Sequence, residues 1–141
     1  MRLWHKDLIP VLPRQQLLGQ WRECCLIAKQ ISEKGTPNHL LVNKIMNYPI
    51  VHFYKYGRRI HTELCKRGYK ADWFNFAKYS CFDGMSAEYE YDEPFDTWHN
   101  VRYLKQCFYN LQEKYDCGGI TKEEWTRITD YYQNTRFMKG K

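Results

Sequence analysis

Apolar residues recur every three or four positions through Leu17, Trp21, Cys24, Cys25, Ala28 and Ile31, a spacing that predicts an α-helix with one core-facing stripe. The opposite stripe carries Gln16, Gly19, Gln20, Glu23 and Ile27, so Glu23 is expected to face away from the main seam, with a bare glycine one turn before it. Glycine inside a helix costs about 1 kcal/mol against alanine. Here it either seats a neighbouring helix or leaves room for a backbone or a ligand beside the carboxylate. Pro10 and Pro13 punctuate the short lead before this helix, and Gly35-Thr36-Pro37-Asn38 breaks the chain after it.

Pro37 suits the first turn of a short helix through Met46, and Asn47-Tyr48-Pro49 breaks the chain again. A second long helix is predicted from Ile50 to Arg67, with Phe53, Gly57, Ile60 and Leu64 on one line. Gly68 is its C′ residue, and Lys66 and Arg67 complement its C-terminal dipole. Residues 71–96 show no helical period. Within them Glu88-Tyr89-Glu90-Tyr91-Asp92 alternates like a strand or extended arm and, with Asp83-Gly84, predicts a loop or a small hairpin. A third helix is expected over Thr97–Tyr115, where Val101, Leu104, Phe108, Leu111 and Tyr115 keep a 3-4 spacing up to the stop at Asp116-Cys117-Gly118-Gly119. Thr121-Lys122-Glu123-Glu124 has the form of a capping box and opens a last helix to about Asn134, followed by a basic tail from Arg136 to Lys141. The pattern predicts a mainly α fold, a single compact helical domain over 1–141 with about four principal helices and an irregular or hairpin acidic insertion.

Charge changes this picture. The net charge is +6, but residues 83–96 hold Asp83, Glu88, Glu90, Asp92, Glu93 and Asp96 and no Lys or Arg. Setting that segment aside leaves 22 basic against 10 acidic residues, a balance of +12 over the other 127. A body that basic attracts polyanions such as a phosphate backbone, although the same charge also serves solubility alone. The acidic segment would repel DNA and belongs away from a phosphate track, or else lies over the basic surface as an anion mimic. An aromatic fraction of 17% supplies both core and stacking surface.

The six cysteines form no CxxC pair and no histidine stands at a ligand spacing from a second ligand, so they are expected to be reduced, mostly buried side chains, with no metal and no cofactor called for. Arg2, His5, Lys6 and Asp7 interrupt any signal-peptide core, and no apolar run approaches the 18 residues of a membrane span. Together these predict a cytoplasmic chain without a membrane partner, the monomer being the favoured state. Neither G-x-S-x-G, G-x-G-x-x-G nor a P-loop is present, which excludes the common serine-hydrolase and nucleotide-loop chemistries.

What remains is amine chemistry. An α-amine ordinarily titrates near 7.7–8.0 and keeps a neutral, nucleophilic fraction that lysine lacks. The first residues, Met1-Arg2-Leu3-Trp4-His5, and Arg22-Glu23 on the first helix can bring such an amine, cations and one carboxylate together. The plain alternative is a frayed terminus and a surface glutamate.

Met1-Arg2-Leu3 followed by Gln15-Gln16-Leu17-Leu18-Gly19-Gln20-Trp21-Arg22-Glu23 resembles the start of the pyrimidine-dimer DNA glycosylase (endonuclease V) family, and Glu63-Leu64-Cys65-Lys66-Arg67-Gly68-Tyr69 resembles one of its helix ends. The likeness is good over residues 1–30, fair over 48–70 and weak beyond 71. It implies a compact helical fold, double-stranded DNA as partner, and a glycosylase/AP lyase reaction through an imine on the N-terminal amine. Carried over, the nucleophile is the amine of Met1 and the acid/base is Glu23. Arg2, Arg22, Gln16, Lys29 and Arg136 are the candidate DNA contacts, and Tyr131, Tyr132 and Phe137 the candidate stacking residues. Three departures stand out. The bulky Arg2 should block removal of Met1, where the family exposes a small residue. Leu26 replaces a basic residue one turn after the glutamate, and Gln16 replaces a histidine at the start of that helix. The family's aromatic and basic C-terminal tail is not reproduced as a motif, and Tyr131, Tyr132, Arg136 and Phe137 are candidates for a similar part through their chemistry alone. A non-catalytic nucleic-acid-binding module of the same fold, and a helical protein-interaction domain, are the alternative readings.

Overall fold

The computed structural model describes residues 1–85 and 93–135. Helix accounts for 66% of the chain and no strand occurs among the described residues, so the mainly α expectation holds. A 3-10 segment, Lys6–Val11, leads into α1 (Arg14–Lys34). A second 3-10 segment, Asn43–Asn47, precedes α2 (Ile50–Lys66), which is followed by the single turn α3 (Phe74–Ala77) and a 3-10 turn, Ser80–Phe82. Two antiparallel-reading helices, α4 (Val101–Asp116) and α5 (Lys122–Gln133), close the order.

Local chemistry sets these boundaries. Gly35 takes φ +78° and donates its N–H to the Ile31 carbonyl at 2.8 Å, so α1 ends in a left-handed cap that only glycine adopts without strain. The Thr121 hydroxyl accepts from the Glu124 N–H at 3.1 Å while the Glu124 carboxylate accepts from the Thr121 N–H at 3.1 Å, completing the capping box. The same carboxylate reaches across to accept the Arg14 N–H at 3.0 Å, satisfying a donor that Pro13, with no side-chain cap to offer, leaves open at the start of α1. The helix expected from Thr97 begins instead at Val101, because the Asn100 side chain accepts from the Tyr103 N–H at 3.0 Å.

Two expectations change. The short helix anticipated over 37–46 gives way to a turn and the 3-10 segment Asn43–Asn47, because the Asn43 side chain captures the His39 N–H at 3.0 Å and offers the backbone a competing partner. Residues 71–96, without a helical period, still form α3 and the Ser80–Phe82 turn and contribute Phe76, Phe82 and Phe95 to the core. The periodicity is hidden because each piece is shorter than two turns. The alternating stretch Glu88–Asp92 and the tail residues Arg136 and Phe137 lie outside the described residues.

The lead is not frayed. Leu3, Trp4, Leu8, Ile9 and Leu12 are all buried in one contiguous core with α1, α2 and α4. Arg67, at the end of α2, fastens this segment by donating to the carbonyls of Leu12 (2.8 Å), Pro10 (3.1 Å) and Ile9 (3.3 Å) while its Nε pairs with Glu63 at 2.8 Å. The close packing glycine is Gly57, where an added Cβ would overlap the ring of Phe76, whereas nothing lies within 4 Å of one at Gly19. No helix among the described residues is long and apolar enough to cross a membrane.

Candidate active site

Burying the lead brings residues 2–4 alongside α1, and one side chain makes the junction. Gln20 is 1% exposed. Its Oε1 accepts from the Trp4 N–H at 2.7 Å, and its Nε2 donates to the Arg2 carbonyl at 3.0 Å and to the Glu23 carboxylate at 3.3 Å. The Tyr56 hydroxyl from α2 lies 2.6 Å from the Trp4 carbonyl and 3.0 Å from Gln20 Oε1, so its single proton serves both acceptors. The amide orientation follows from this network, since the reverse would set its NH2 against the Trp4 N–H and its oxygen against the Arg2 carbonyl and Glu23. Gln20 and Ile27 fall on the stripe of α1 opposite the main apolar seam, as expected, yet both are buried, because the lead packs on that face as α2 packs on the other.

A second clamp comes from α4. The Tyr103 hydroxyl donates to the Leu3 carbonyl at 2.6 Å, the Arg2 guanidinium lies 3.9 Å from the Cys107 sulfur, and it sits 5.5 Å over the ring of Trp4. Burial pushes the Tyr56 and Tyr103 phenols well above their ordinary range, so both remain O–H donors. Behind the lead, His99 Nδ1 accepts the Lys6 N–H at 3.0 Å, and the rings of His5 and His99 lie 5.1 Å apart. Burial holds His5 down at about 4, and burial together with the neighbouring His5 and Lys6 holds His99 well below its usual value, so both imidazoles are neutral near pH 7. Lys6 is itself buried and answered by Asp96 and Glu93.

The Glu23 carboxylate and the Arg2 carbonyl share one amide donor and are at most two hydrogen-bond lengths apart, which sets the backbone of residue 2 and the acid on one side of α1. No ion pair joins the Met1 amine to Glu23 among the described residues. Glu23 is half-buried, Met1 exposed, and the gap beside Gly19 is open. A family model described as pyrimidine dimer DNA glycosylase matches residues 1–74, just over half of the 141. The chain belongs to that family. Membership places it broadly among DNA repair glycosylases and makes DNA its expected partner. No curated protein and no solved structure matches it.

The other sequence-predicted residues of this glycosylase-family chain disperse. Arg22 and Lys29 are seven apart on α1 and form an exposed ridge with Leu26, an outward face suited to phosphates but interrupted by an apolar residue. Gln16 lies two turns, about 10 Å, before Glu23. It lines a cleft between the start of α1 and the α4–α5 turn, with Gly118, Ile120 and Thr121. Tyr132 cannot stack on a base, because its ring is 8% exposed and stacked on Phe108 at 3.9 Å. Tyr131 lines a separate cleft with Asp7, Arg59 and Glu93, not the one beside Arg2. Gln20, Tyr56 and Tyr103 were missed as site residues. Gln20 stands inside the nonapeptide that carries the resemblance, but periodicity put it only opposite the main apolar seam and gave no sign that the lead would cover it.

Proposed function

We propose that this chain is a DNA glycosylase/AP lyase whose nucleophile is the α-amine of Met1 and whose acid/base is Glu23. The observation that carries the reading is the buried Gln20 amide, which ties the backbone of residue 2 to the carboxylate of residue 23. The amine lone pair attacks C1′ of the damaged nucleotide, and the glycosidic C–N bond breaks with its electron pair leaving on the base. Ring opening then gives the imine, O4′ taking the pair and a proton. Glu23 stabilises the cationic sugar and imine electrostatically, then assists removal of the C2′ proton, and the C3′–O bond breaks to release the 3′ phosphate. Hydrolysis of the imine restores the amine.

Borohydride added to the protein and a duplex containing an abasic site is expected to trap a covalent adduct at residue 1, absent when the α-amine is acetylated. Glu23→Gln should keep salt-sensitive DNA binding and lose strand cleavage. No adduct from an unblocked protein, under conditions where a known AP lyase is trapped, overturns the proposal.

A further inference from the structure

Among the described residues Leu40 and Leu41 stand out as an apolar pair, 89% and 52% exposed and adjacent on one turn. Neighbouring residues fix that turn. Val42 and Ile45 are buried beneath it, the His39 carbonyl accepts from the N–H groups of Val42 (3.1 Å) and Asn43 (2.8 Å), and Asn43 Oδ1 accepts the His39 N–H at 3.0 Å. His39 Nδ1 accepts the Leu41 N–H at 3.3 Å, and Asn38 enters the turn at φ +56°, a left-handed conformation asparagine tolerates. A turn braced this way holds two leucines in water, where an unconstrained loop would fold them down.

The leucines border a cleft of about 560 Å³ whose other walls include Arg2, Lys44, Tyr103, Tyr109 and Asn110. Arg2 is therefore common to this cleft and to the N-terminal lead that Gln20 and Tyr103 clamp. Two cations, Arg2 and Lys44, line the cleft with the apolar tip against one carboxylate, Glu113; Gln106 and Asn110 add amides, and Tyr109, 54% exposed, adds an aromatic face. Apolar tip, flanking cations and amide edges match a nucleic acid duplex, whose interior is stacked bases and whose rim is phosphate. A C1′ within a stacked duplex is shielded from a nucleophile held on a short, clamped N-terminal segment, so the stack must be opened; leucine is among the side chains that proteins insert between base steps for that purpose.

We propose that Leu40 and Leu41 form a wedge that enters the base stack of damaged duplex DNA and holds the lesion open beside residue 1, with Arg2 and Lys44 on the flanking phosphates. This rests on the reading of the chain as an enzyme acting on DNA through Met1, and the experiment separates the two. Both leucines are exposed, so the double variant Leu40→Ala/Leu41→Ala should unfold at the wild-type temperature. The probe is a duplex with 2-aminopurine next to an abasic site, compared with the same damaged strand alone.

Wild type is expected to raise the 2-aminopurine fluorescence several-fold on binding. The alanine variant should lose that rise and cut the duplex at least about tenfold more slowly, yet bind it within about threefold and cut the single strand, which has no stack to open, at the wild-type rate. Leu40→Met/Leu41→Met should retain the rise. An alanine variant that unstacks and cuts the duplex like wild type overturns the wedge, as does equal loss on duplex and single strand. A drop in oligomeric mass with unstacking unchanged overturns it in favour of a self-association surface. Wild type that cuts neither DNA while the fluorescence still rises overturns the amine mechanism and leaves the wedge standing.

Discussion

Replacing Gln20 with methionine keeps the length and volume of the side chain and removes all of its hydrogen bonds, which isolates the polar junction from packing. The Trp4 N–H loses its acceptor in a buried site, and the Arg2 carbonyl and Glu23 lose a shared donor, while Tyr56 can still serve the Trp4 carbonyl. One orphaned buried donor costs about 1–3 kcal/mol and each part-buried bond about 0.5–1.5, so the expected loss is about 3 kcal/mol, or roughly 10 °C in Tm for a chain of this size. If Gln20 also positions the proposed nucleophile, a shift near 1 Å in residue 1 should slow single-turnover borohydride trapping by about 100-fold. Gln20→Glu gives a readout that a merely structural role would not move. It restores the acceptor for Trp4 but points an oxygen at Glu23, so its trapping rate relative to wild type at the same pH should recover on acidification, as the new carboxyl gains a proton and again donates, while the loss of neutral amine is common to both proteins. A Gln20→Met protein that loses the expected stability yet traps within about threefold of wild type would refute the positioning argument.

Gly57→Ala should destabilise by about 1–3 kcal/mol in urea unfolding, because its Cβ meets the buried Phe76 ring; an unchanged midpoint would show that the ring moves freely. Arg22→Ala, on the exposed ridge of α1, should leave Tm unchanged and lower the slope of log K against log salt by about 1 in DNA titrations, whereas no change in slope would remove Arg22 from the phosphate track. Stability should also fall on acidification. Because burial depresses His5 to about 4 and depresses His99, the unfolded chain binds protons that the folded one refuses. The stabilisation is therefore full above about pH 6.5 and is lost as the pH drops toward 4, on the order of 3 kcal/mol for His5; Lys6 acts in the same direction and Asp7 opposes it. A flat urea-unfolding profile between about pH 7 and pH 5 would contradict this.

The helices were legible in the sequence because their signals are local. The 3-4 spacing of Leu104, Phe108 and Leu111, the Thr121–Glu124 box and the cap at Gly35 act within one or two turns, and α2 and α5 start and stop within a residue or two of where those signals put them. The pairing of residue 1 with Glu23 was legible as a resemblance in a motif. What fastens the lead beside α1 and ties the backbone of residue 2 to Glu23 was not, because it depends on contacts between positions far apart in the chain: Gln20 with Arg2 and Trp4, Tyr56 with Trp4, Tyr103 with Leu3, Arg67 with Leu12. Helical periodicity placed Gln20 opposite the apolar seam without saying what, if anything, covers that face. The lead, too short and too interrupted by prolines to show a period, folds onto that face and buries it. Tyr132 fails as a stacking residue for the same reason in reverse, since only the α4–α5 seam decides that its ring belongs to Phe108. Propensity and capping fix where a helix runs, but which of its faces meets solvent depends on what the rest of the chain lays over it.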